Sequence, residues 1–133
     1  MPTLGETFAH AVAAKDHDAV RAVLAPDVDF RALTPRRPWE GSTPDDVLDA
    51  LFGHWFEESD EVRALLDVET GEPVEDTERV AYRLALHNDD GDFTLEQQVY
   101  YRHDGERITY LRVLCSGYRP TRRADSEDGA VTG

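Results

Sequence analysis

The chain has one cysteine, one lysine and one methionine in 133 residues, and it has no long apolar run. The single cysteine, Cys115, excludes an internal disulfide framework. No apolar stretch approaches the ~18 residues that cross a bilayer as a helix. The first residues show no basic segment followed by an apolar run, so no signal peptide is expected. Positive charge is scarce: 14 Lys+Arg stand against 28 Asp+Glu, a formal net charge of -14. Phosphate repels such a surface, which excludes nucleic acid and anionic membranes as expected partners. A soluble cytoplasmic protein is expected from these absences.

What is present is enough for one packed domain, because 40% of the residues are apolar. Thirteen of the 14 basic residues are arginine. An acidic, lysine-poor surface suits a cytoplasm with molar salt, where screening removes the self-repulsion. A GC-rich genome, which favours arginine codons, accounts for the same bias.

Thr3 followed by Glu6 reads as a capping box, and Leu4, Phe8 and Val12 behind it mark one face of a first helix. A second short helix is expected from Asp18 to Ala25, closed by Pro26. Val28, Phe30 and Ala32 alternate with polar residues as a strand. Residues 34–41 read as loop because of Pro35 and Pro38. Thr43 caps a third helix with Pro44 at its first position, and Val47, Leu48, Leu51, Phe52, Trp55 and Phe56 form its apolar stripe. The period then changes to two. Strands are expected at 62–68, 79–88, 92–103 and 106–116, with Asp90-Gly91 and Asp104-Gly105 as hairpin turns. Residues 119–133 form a polar tail expected to be disordered. Helices first and an antiparallel sheet second make an α+β domain over residues 1–118.

If both hairpins have two-residue loops, Asp89 faces Asp92 and His103 faces Glu106, which fixes every cross-strand row. One face then carries Val80, Tyr82, Leu84, Leu86, Leu95, Val99, Tyr101 and Leu114. The other is mixed, with Arg83 beside Gln98 and Leu111, Glu96 beside Val113, and His87 beside Thr94 and Cys115. Hydrophobicity alone puts the first face against the helices. The mixed face has the composition of a ligand pocket, apolar walls with a few polar groups, which is the alternative.

The segments Asp16-His17-Asp18-Ala19-Val20, Leu24-Ala25-Pro26-Asp27-Val28, Trp39-Glu40-Gly41 and Asp104-Gly105-Glu106-Arg107-Ile108, in this order, resemble the nuclear transport factor 2-like superfamily, which includes SnoaL-like cyclases and ketosteroid isomerases. The resemblance implies a cone-shaped, curved, antiparallel-rich sheet with three N-terminal helices covering its concave face. It implies that Leu111, Val113 and Cys115 line the cavity, and it therefore turns the mixed face inward, leaving the greasy, convex face for a homodimer. The isomerase positions for base, tyrosine and oxyanion aspartate fall on Ala32, Phe8 and Gln98. With the base replaced, steroid isomerisation by that route is not expected.

On this reading the chain is a small-molecule-binding domain, or a cofactor-free acid–base enzyme of isomerase, cyclase or dehydratase type, acting on a small apolar or ring-shaped compound. The alternative is a non-catalytic dimerisation or ligand-sensing module. Glu96, Gln98 and His87 are the candidate catalytic residues, Glu96 because burial would make it a usable acid or base. Arg83, Tyr100, Cys115, Leu111, Val113, Trp39, Phe8 and Arg31 are the candidate ligand contacts. Each also has a plain structural role open to it: ion pair, core residue or packed aromatic. No HxxxH or CxxC spacing supports a metal, and none is expected.

Overall fold

The structure, a computed structural model, describes residues 3–56 and 58–121. Helix α1 (Leu4–Ala13) starts where the sequence places it. The Thr3 hydroxyl accepts the Glu6 amide, and the Glu6 carboxylate accepts the Thr3 amide at 2.9 Å. These bonds hold the Glu6 carboxyl below its ordinary pKa. Asp16 caps α2 (His17–Ala22), which is shorter than expected. Residues Leu24–Thr34 form β1 instead, and Pro26 falls at an irregularity between Leu24 and Asp29, where its missing N–H interrupts no ladder bond.

The expected loop at 34–41 is a correction. Arg37–Gly41 form β2, which holds Trp39 opposite Ala32. This strand lies at the sheet edge, the place where a strand tolerates Pro38. Thr43 caps α3 (Pro44–Leu48), and the chain then continues in wider π-type turns over Asp49–Trp55. The expected stripe is inward at Val47, Leu48, Leu51 and Trp55.

Five further strands complete the sheet: β3 (Glu61–Thr70), β4 (Glu78–Asn88), β5 (Gly91–His103), β6 (Ile108–Cys115) and β7 (Arg119–Pro120). The order is β2-β1-β6-β5-β4-β3, with β7 beside β5. Only the β1–β6 pairing is parallel among these contacts. Part of the expected tail is therefore strand: Arg119 and Pro120 pair with Thr94 and Phe93. Residues 122–133 of that tail lie outside the described residues. The result is α+β, three helices over a mixed, curved, unclosed seven-strand sheet.

Both registers differ from those expected, with opposite consequences. In the β4–β5 hairpin Asn88 faces Gly91, so Val80 pairs with Val99 and not with Tyr101. That is a slip of two, which leaves each side chain on its face. In the β5–β6 hairpin the Asp104 carboxylate folds back to accept the amides of Glu106 and Arg107 at 3.0 and 2.9 Å. The loop lengthens, and a further irregularity lies between Arg102 and His103. Tyr101 then faces Leu111 and Val99 faces Val113. This is an odd shift, and it turns β6 over relative to β5.

The interior therefore combines both readings. From β4 and β5 it takes the greasy face, Val80, Tyr82, Leu84, Leu86, Leu95, Val99 and Tyr101; from β6 it takes Leu111 and Val113. With Phe8, Val12, Phe30, Leu51 and Phe56 these form one core. The greasy face is thus not available for a dimer.

Candidate functional site

Register places a row of polar side chains across the inner face of the sheet. Gln97 lies between Tyr82 on β4 and Cys115 on β6. The Tyr82 hydroxyl donates to Gln97 Oε1 at 2.5 Å, and Gln97 Nε2 donates to Cys115 Sγ at 3.5 Å. Burial, and secondly the nearby Cys115, push the Tyr82 phenol well above its ordinary pKa of 10.0. The phenol is therefore a proton-bearing donor. Gln97 is 0% exposed. Its amide is therefore sealed from solvent and makes its hydrogen bonds within the protein.

A separate aromatic group gathers around Trp39 on β2 and Trp55. Trp39 meets Trp55 edge-on at 5.8 Å, His54 lies 5.1 Å from Trp39, and Phe30 lies 6.4 Å from Trp55. The Trp39 indole N–H donates to Thr34 Oγ1, and the Arg37 guanidinium lies 3.7 Å from its ring. The Trp55 indole N–H is buried without a partner among the described residues.

The outer face carries several accessible concavities, and another of about 520 Å³ lies beside α2 at Arg21, Pro26 and Pro44. One cleft of about 380 Å³ is lined by Leu33, Glu96, Gln98, Leu114, Cys115 and Arg119, among others. It shares Glu96 and Gln98 with a pocket of about 270 Å³ that also holds Arg83 and Asp67. It shares Leu33 and Leu114 with a cleft of about 330 Å³ that holds Arg31, Trp39 and Arg112. Together they form a trough over the outer face, which the polar row reaches from within at Cys115.

The expected site residues divide accordingly. Arg83, Glu96 and Gln98 do come together: Arg83 Nε lies 3.5 Å from Glu96 Oε1, and Gln98 Nε2 donates to Glu96 Oε2 at 3.3 Å. They do so on the outer face, not in a hollow beneath the helices, because the register slip of two on β4–β5 preserved their side. Tyr100 is also outward, between Arg79 and Arg112. His87 faces Asp92 at 2.7 Å near the hairpin, five residues along β5 from the partner of Cys115, so the expected His87–Cys115 row does not form. Phe8 is a fully buried core residue, and Leu111 and Val113 are buried against it in the same core. Arg31 lies exposed on the outer face.

Gln97, Tyr82 and Asp60 were missed. Gln98 and Gln97 are adjacent and chemically identical, and only the strand's orientation separates them. Asp60 is 7% exposed; its carboxylate accepts from the Tyr118 hydroxyl at 2.7 Å and from Asn88 Nδ2 at 2.9 Å, and the Lys15 ammonium donates to its backbone carbonyl. These bonds tie β4 and the C-terminal segment to the start of β3, a structural use of a buried acid. Among the described residues, no group of three or more His, Cys, Asp or Glu is placed to hold a metal ion, and no helix is long and apolar enough to cross a membrane.

No protein-family model and no curated protein matches the sequence. Solved structures do match in shape. A ketosteroid isomerase-like protein from Erwinia carotovora atroseptica superposes with a TM-score of 0.63 at 15% identity, covering 88% of this chain and 92% of that one. An LEH-like epoxide hydrolase from M. tuberculosis gives 0.60 at 16% identity, over 85% and 80% of the two chains. A Catenulispora acidiphila protein of ketosteroid isomerase-like fold, in complex with trimethylamine, gives 0.59 at 14% identity, over 87% of each. Likeness at this level of identity speaks for the backbone, and it agrees with the helices laid in the hollow of an unclosed, curved sheet: the chain has the fold of the nuclear transport factor 2-like superfamily.

Proposed function

We propose that this protein is a small-molecule-binding domain whose ligand seat is the trough on the outer sheet face, and that it acts by binding and not by proton transfer. The observation that carries this reading is the contrast in packing. The interior row at Gln97 is closed, whereas the accessible concavities gather Glu96, Gln98, Arg83 and Cys115 at the surface. A cleft of this size with mixed apolar and polar walls suits a compact ligand. Glu96 sits in a half-exposed ion pair with Arg83 and does not have the isolated, apolar setting that tunes a carboxyl for acid–base work. The Tyr82–Gln97–Cys115 row behind it is engaged in its own hydrogen bonds. That a protein of ketosteroid isomerase-like fold is in complex with trimethylamine supports a small guest.

Native mass spectrometry of freshly purified protein is expected to show a co-purifying compound, with Glu96→Gln and Gln98→Ala changing its occupancy. A spectrum without any adduct, together with no saturable binder in a ligand-observed NMR fragment screen, would overturn the reading. Turnover of a substrate that Glu96→Gln abolishes would overturn the binding-only mechanism.

A second reading places a second copy of the chain on the same outer face as a homodimer. It is favoured by Leu33 and Leu114, register neighbours that are 54% and 46% exposed. Sedimentation giving the mass of one subunit would contradict it.

A further inference from the structure

We propose that the Arg31–Arg112 end of the trough binds the head of a small amphipathic carboxylate, with its apolar tail along Leu33 and Leu114. The proposal names the ligand class for the site proposed above and rests on that reading.

Two adjacent rows carry the argument. In the first, Glu40, Arg31 and Arg112 stand side by side on β2, β1 and β6. In the second, two residues further along, Pro38, Leu33 and Leu114 do the same. Alternate residues on a strand share a face, and their rows lie about 7 Å apart. A charged row beside an apolar row is the pattern an amphipathic molecule would match. All six residues line the same cleft of about 330 Å³.

The charged row is unusual in this chain. Two cations directly opposite one another in a sheet repel, and here they do so in a protein of net charge -14 with few cations to place. Arg31 has no ion pair among the described residues. Arg112 is held in place through one nitrogen: Nη1 donates to the Asp29 carbonyl at 2.9 Å, to the Leu111 carbonyl at 3.1 Å and to Asp29 Oδ1 at 3.3 Å. Its guanidinium also lies 3.9 Å from the Tyr110 ring. Nε and Nη2 make no hydrogen bond among the described residues. Arg112 is therefore a fixed guanidinium with unused donors, the arrangement that suits a planar carboxylate. Glu40 beside Arg31 and Asp29 beside Arg112 balance the two cations overall, and what remains for a ligand is the unused donors of the two guanidinium groups.

Calorimetric titration with octanoate, octanol and octyltrimethylammonium tests the proposal. Octanoate is expected to bind about tenfold or more tightly than octanol, since a charge-assisted pair contributes at least that factor. Arg31→Gln should weaken octanoate about tenfold and leave octanol unchanged. Leu114→Asp, at an exposed position where the fold is expected to persist, should abolish octanoate binding while the melting profile stays intact. Equal binding of octanol and octanoate, or preference for octyltrimethylammonium, overturns the carboxylate and leaves small-molecule binding standing. Absence of octanoate binding also overturns it, and the native mass spectrum then decides separately whether the outer face binds any small molecule.

Discussion

The two C-terminal hairpins both carry an Asp-Gly pair, and they treat their strands differently. At Asp90-Gly91 the turn moved the register by an even number, so every side chain of β4 and β5 kept the face that alternation assigns it. At Asp104-Gly105 the Asp104 carboxylate captured two backbone amides and the strand irregularity beside Arg102 made the shift odd. Leu111 and Val113 thereby exchanged places with Tyr110 and Arg112. The pair of turns teaches that alternation within a strand is reliable, whereas the relation between strands depends on one or two loop residues.

The sharpest way to break that comparison is on β6 itself. Leu111→Asp places an unpaired carboxylate in the core and is expected to cost about 4 kcal/mol or more. Leu114→Asp, on the opposite face, should change stability by about 0.5 kcal/mol. Chemical denaturation of both variants checks this, and a reversed order would mean that β6 is not turned over.

The same contrast on β5 is smaller. Gln97→Ala removes a buried amide and strands the Tyr82 hydroxyl, for an expected loss of about 3 kcal/mol. Gln98→Ala should stay within about 0.5 kcal/mol. Thermal melts of the two, compared side by side, read out which glutamine faces inward.

Tyr82→Phe leaves Gln97 Oε1 without its donor and should cost about 1–3 kcal/mol at neutral pH. It also changes the alkaline limb. The phenol's pKa is raised in the folded state, so its contribution is whole below the unfolded value of about 10 and falls as pH rises from there toward the folded value. Urea midpoints from about pH 8 to about pH 11 should fall less steeply in the variant than in the parent. A parallel decline in both would remove Tyr82 from the account.

The smallest effect is expected at Asp104. Its carboxyl is held below its ordinary pKa by the Arg107 and Glu106 amides. The stabilisation is present above the unfolded pKa and is lost as pH falls through the lowered folded value. Asp104→Ala should therefore lower the unfolding midpoint at neutral pH, with the gap to the parent closing in acid.

The starts of the first and third helices were legible because their signals are local: Thr3 and Thr43 cap them through their own side chains, whereas the second helix, expected from Asp18, starts at His17 under an Asp16 cap. Strand existence was legible from alternation, and so was the family resemblance. Three features were not. Pro38 disguised β2 as a loop, although an edge strand accepts proline. The stripe of α3 has the same composition whether the chain winds in α or π turns, so the wide Asp49–Trp55 segment left no mark. The choice between Gln97 and Gln98, and with it the move of Arg83, Glu96 and Tyr100 to the outer face, depended on packing between strands distant in the sequence. Hydrophobicity turned β4 and β5 as the structure has them, and the resemblance turned Leu111 and Val113 inward, where they are core residues. Each failed where the other succeeded because a single face assignment was extended across a turn that inverts it.

The most direct measurement is the cross-strand pattern of backbone nuclear Overhauser effects between β5 and β6. Contacts joining Tyr101 to Leu111 and Val99 to Val113 are expected. Contacts joining Tyr101 to Ile108 and Val99 to Tyr110 would show that the second hairpin closes as a two-residue turn, and would contradict the arrangement of both the closed interior and the outer trough.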